Sequence, residues 1–137
     1  MLRLVEDALR FARAAEADLY CYIEATAAFA GGGRTIGAKS ALSIGRGGGL
    51  WEMALVALRV PHEVVSPQRW QKEVGITKGM AADPKARAQQ MAGRLWSEQD
   101  WGRSKAAAEG LRDAALIAEA ARRALGGGEG VQRRGSV

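Results

Sequence analysis

Apolar residues at Val5, Ala8, Leu9, Ala12 and Ala15 recur at helical spacing, while Arg3, Glu6, Asp7, Arg10 and Arg13 take the remaining surface. That period predicts a helix from Leu2 to about Ala15. The period then changes. Residues Asp18 to Glu24 are apolar on both alternating faces and rich in aromatic and branched side chains, which suits a strand buried within a parallel sheet and ending at Glu24. A Gly-rich loop, Ala30-Gly31-Gly32-Gly33-Arg34, follows. Helical spacing resumes from about Lys39 to Arg59, and the cluster Gly47-Gly48-Gly49 inside it predicts a kink or a close neighbour. Pro61 ends that helix, His62 to Val65 read as a short strand, and Ser66-Pro67 supply an N-cap and first residue for a helix reaching Val74. Asp83-Pro84 open another helix through Met91, Leu95 and Trp96, and a last one runs from about Ser104 to Leu125. From Gly126 to Val137 there is nothing to bury, so a disordered tail is expected after one domain over 1–125.

Alternating helices and strands imply an α/β fold with crossovers onto a parallel sheet. Two strands make a poor sheet, however, and a strand apolar on both faces belongs between neighbours rather than at an edge. The pattern therefore predicts an α/β domain whose first strands are missing.

Composition narrows the class without naming a function. With 137 residues, 47% hydrophobic and 26% charged, the chain has the balance of a small folded domain. No apolar run approaches the roughly 20 residues of a membrane span, and Glu6 and Asp7 come too early for a secretory signal, so a soluble, cytoplasmic protein without membrane contact is expected. One cysteine, Cys21, and one histidine, His62, exclude an internal disulfide and a Cys/His zinc site, leaving carboxylates as metal ligands. The net charge of +5 allows a polyanionic partner but does not require one.

Glu24 stands at the carboxyl end of an apolar strand, where open α/β sheets bind ligands. Either it is paired or binds metal, or it simply enters the loop beyond the burial. Glu109 and Asp113, four residues apart, point about 40° apart on the last helix and border a stripe with Ala106, Leu116 and Ala120. Like charges at that spacing repel unless a cation lies between them; the plainer reading is a surface pair neutralised by Arg112. Three carboxylates from a strand end and a helix suit a hard divalent cation such as Mg2+, and paired ions of this kind serve phosphodiester hydrolysis. Basic residues fall in the connections: Arg34, Lys39 and Arg46, then Arg69, Lys72, Lys78, Lys85, Arg87, Arg103 and Lys105. They either meet phosphates, with Phe29 stacking on an unpaired base, or are solvated loop charge beside a packed aromatic. The four tryptophans and His62 are read as structural, and Cys21 as inert.

With those residues in view, the sequence resembles the RuvC-type Holliday junction resolvases, especially phage and prophage forms, within the RNase H-like nucleases. The segments that carry the likeness are Tyr22-Ile23-Glu24, Val64 to Lys72, Pro84 to Ala88 and, most specifically, Glu109 to Ala118, with coverage from Leu2 to about Arg123. The resemblance implies an RNase H-like mixed sheet with flanking helices, and a Mg2+-dependent crossover junction endonuclease, with Mn2+ as a substitute ion. It implies a homodimer that nicks two strands of like polarity in branched DNA during recombination and repair, with the Lys39 to Arg59 helix as dimer contact. Glu24, Glu109 and Asp113 would be its catalytic and metal-binding carboxylates. Lys85, Arg69 and Lys72 would contact junction strands, together with Arg34 and Lys39, and Phe29 would stand near the aromatic that enters the junction centre.

Two departures matter. Relatives carry Asp or His where this chain has Glu109, and their first strand carries an Asp in an Ile-Asp-Pro-Gly-like motif that nothing here replaces, since Glu6, Asp7 and Asp18 are wrongly placed. The expectation is thus a resolvase lacking its N-terminal strands, through a misplaced start, a gene fragment or a decayed prophage copy. Loss of the metal-bridging carboxylate predicts a rate lower by orders of magnitude. The competing readings are a non-catalytic DNA-binding or dimerising remnant and, ranked below it, a small-molecule hydrolase.

Overall fold

A computed structural model describes residues 2–25, 37–102 and 104–126, with the side chains of 38–41 left aside. Its elements, in order, are α1 (Leu2–Ala14), β1 (Cys21–Glu24), α2 (Ala38–Ala57), β2 (His62–Val65), α3 (Pro67–Val74), α4 (Pro84–Leu95) and α5 (Lys105–Gly126). Where the sequence reads as one domain, the chain divides into two compact units, Met1–Val65 and Ser66–Val137.

In the first unit β1 and β2 pair in parallel, joined through α2, with Cys21 opposite His62 and Glu24 opposite Val65. The ladder ends in backbone bonds from Cys21 N–H to the Pro61 carbonyl (2.9 Å) and from Ala25 N–H to the Val65 carbonyl (2.8 Å). β1 begins three residues later than expected, at Cys21 instead of Asp18. The physical reason is Pro61: the next ladder bond toward Leu19 needs an N–H there, and proline has none. Among the described residues the sheet has two strands, so β1, expected between neighbours, has one partner. The core is small, built on Val5, Leu55 and Val60 with Leu9, Leu19, Cys21, Ile23, Trp51 and Leu58 packed against it.

Both helices of this unit end in the same way. After α1, Ala17 N–H bonds to the Ala12 carbonyl (2.9 Å) and Glu16 N–H to that of Arg13 (3.1 Å); after α2, Val60 N–H bonds to Leu55 (2.8 Å) and Arg59 N–H to Val56 (3.0 Å). These paired bonds form the Schellman motif, which puts one residue in the left-handed region. Glu16 (φ 51°) and Arg59 (φ 54°) sit there, although neither is glycine. The contact that fixes the second turn is apolar, since Leu55 and Val60 are both buried. α2 is a continuous helix through its glycines, and a methyl group at Gly45, Gly47 or Gly49 would meet nothing within 4 Å. Of the expected cluster, Gly47 and Gly49 therefore have no close neighbour among the described residues.

The second unit is helical. Ser66 accepts a bond from Arg69 N–H through its side chain (3.3 Å), Pro67 opens α3, and Gly75 (φ 86°) closes it. Asp83 and Pro84 start α4 likewise, with Ala86 N–H donating to Asp83 Oδ2 (3.2 Å). α5 packs on both α3 and α4. It buries Leu116 together with Ala108, Ala120 and Ala121, and the small size of the three alanines suits close helix contact. Ala106, expected on that stripe, is exposed in the first turn of α5, and burial on this helix begins at Ala108. Gly126, expected to begin the tail, is the last residue of α5, while 127–137 lie outside the described residues. Among the described residues no helix is long and apolar enough to cross a membrane.

Candidate functional site

α5 places Glu109 and Asp113 one turn apart, and α4 brings Lys85 to the first of them. Lys85 Nζ donates to Glu109 Oε2 at 2.9 Å across 24 residues of sequence. The two side chains differ in exposure. Glu109 keeps 28% of its side-chain surface exposed, whereas Lys85 keeps 74%.

The charges act on one another as their placement requires. The Lys85 ammonium holds the Glu109 carboxyl below its ordinary range, helped by Lys105 and Arg112, and Glu109 in return raises Lys85. Asp113 is pushed the other way, up, first by its own desolvation and then by the negative charge of Glu109. Two acids one helical turn apart are thus inequivalent: one carries a cation, the other borders apolar surface and a like charge. Arg112, the neutralising partner suggested by i,i+3 spacing, acts on Glu109 only through its field, while Lys85 makes the hydrogen bond.

The remaining expected site residues fall as follows. Glu24 is exposed at the end of β1, in the sheet unit, and has a polar interaction of its own. Arg69 Nε is bound to Glu73 Oε1 at 3.1 Å along α3, and Lys72 is exposed one turn further on. Arg87 is committed to its own loop, donating to the carbonyls of Ala81 and Ala82. Lys39 belongs to α2, with its side chain outside the described set, and Phe29, Arg34 and Arg103 lie outside the described residues. Of the residues read as structural, Trp70 is buried while Trp51, Trp96 and Trp101 are half-buried, His62 Nδ1 donates to the Val60 carbonyl (3.0 Å), and partial burial raises the Cys21 thiol.

Metal fit can be tested on the donors themselves. Among the described residues no group of three or more His, Cys, Asp or Glu side chains is assembled to hold an ion. Glu109 and Asp113 are two hard oxygen donors on one face, and Mg2+ is commonly held by one or two carboxylates together with substrate phosphates. The pair fits that smaller donor set, on the condition that Lys85 gives up Glu109.

Sequence reasoning missed a second polar cluster on the far half of α5. Glu119 accepts from Arg122 (2.7 and 2.8 Å) and from Arg123 (2.7 Å), and Arg123 Nη1 continues to the Glu73 and Val74 carbonyls at the end of α3 (3.4 and 3.1 Å). These bonds draw Glu119 down to about 2. The i,i+3 and i,i+4 spacing of Glu119 to Arg122 and Arg123 was the available signal. An open cleft of about 390 Å³ adjoins it, walled by Ala115, Ala118 and an edge-to-face pair, Trp96 and Trp101, with ring centres 5.8 Å apart. Its polar wall is already satisfied by the arginines, so it offers an apolar surface and no unmatched charge. No family model, curated protein or solved structure matches this chain.

Proposed function

We propose that this protein is a metal-dependent, structure-selective endonuclease for branched DNA, of the RuvC resolvase type, working as a cytoplasmic homodimer. The observation that carries the reading is the Glu109–Asp113 pair on α5 with Lys85 delivered to it from α4. Two carboxylates offer hard oxygen donors, and the adjoining ammonium is a ready contact for a phosphate. A bound Mg2+ supplies a Lewis acid and an acidified water for phosphodiester hydrolysis. Within the same reading Glu24 is the third carboxylate, and Lys72 and Arg69 extend the basic surface, with Phe29, Arg34 and Lys39 as further DNA contacts.

α2 supports the homodimer. Leu42, Met53 and Val56 are exposed at helical spacing, and Gly45 and Gly49 on the same stripe leave open space for a second backbone. The second reading is a DNA-binding or dimerising protein without cleavage, which the exposed apolar stripe of α2 supports independently of the carboxylates.

The test uses a labelled four-way junction and a matched linear duplex, each with Mg2+ and with EDTA. Paired, metal-dependent nicks in the junction alone, lost in Asp113→Asn and Glu24→Gln with junction binding retained, are the expected result. Salt-sensitive binding without nicks selects the second reading. Absence of salt-sensitive DNA binding overturns both.

A further inference from the structure

We draw no further inference here: the strongest candidate, the open apolar cleft of the helical unit between the Trp96–Trp101 pair and Ala115 and Ala118 of α5, is an unpartnered surface, and nothing in the structure shows what covers it.

Discussion

The two units put their apolar residues to different ends, and the sheet unit holds the larger proportion of them. In the helical unit Trp70, Val74, Met91, Ala92, Leu116 and Ala120 are buried, and Leu111 and Leu125 are its exposed large hydrophobics among the described residues. In the sheet unit the buried set is Val5, Ala12, Ala54, Leu55, Val60 and Val65, while Leu2, Leu4, Phe11, Leu42, Ile44, Leu50, Met53, Val56 and Val64 are exposed. A two-stranded sheet covers one helix face poorly, whereas three helices with alanine at their contacts bury one another. The sheet unit thus carries surface suited to association, and the helical unit carries the polar chemistry.

The largest test of that contrast is Leu116→Ala. Leu116 is fully buried on the helix that contacts both α3 and α4, so its truncation leaves a cavity and costs about 3 kcal/mol. Val64→Ala, at an exposed strand position, stays within about 0.5 kcal/mol. Urea unfolding of the two variants measures the difference, and equal losses would remove the distinction between the units.

Next in size is Met53→Glu. A charge at the centre of the exposed α2 stripe should weaken self-association by about tenfold or more, for a like charge meeting its copy is costly at a helix interface. Leu111→Glu, an equally apolar surface change on α5, should leave the sedimentation coefficient unaltered. A wild type that sediments as a monomer at all concentrations would deny the sheet unit its partner face.

Legibility in the sequence also divided along these lines. The bounds of α3 and α4 could be read because Ser66-Pro67 and Asp83-Pro84 are local devices, complete within four residues. The start of β1 could not, because it depends on a missing N–H at Pro61, 40 residues away. The glycines of α2 were legible as a disturbance but not as an unbroken helix, since glycine lowers helix stability without forbidding it. At the site, the one-turn spacing of Glu109 and Asp113 was visible in the sequence; their inequivalence was not. That depends on Lys85, on another helix, and no spacing rule pairs residues across helices. The cap that Arg123 places on α3 was hidden for the same reason.

The bonds of Glu119 to Arg122 and, after it, Arg123 give the helical unit a pH dependence. Glu119 is depressed to about 2 from an ordinary 4.5, so its contribution is fully present above about pH 4.5 and is lost as pH falls through about 2. Its worth is about 1–2 kcal/mol, allowing for the exposure of Arg122. Glu119→Gln should lower stability by that amount at pH 7 and by much less near pH 2. A constant difference across the range would assign the loss to packing instead of charge.

The smallest effect sharpens the account of the sheet unit by improving it. Arg59 occupies the left-handed position of a Schellman turn at φ 54°, where a side chain costs about 1 kcal/mol and glycine costs nothing. Arg59→Gly relieves that strain but adds backbone freedom to the unfolded chain, which takes back part of the gain. A net stabilisation of about 0.5 kcal/mol is expected, and Gly75→Ala after α3 (φ 86°) should lose about 1 kcal/mol by the same reasoning in reverse. Opposite signs in matched unfolding curves would show that the two units stop their helices by one geometry and differ in the residue that bears it. A destabilised Arg59→Gly would mean that the arginine side chain does more at this turn than its backbone position requires.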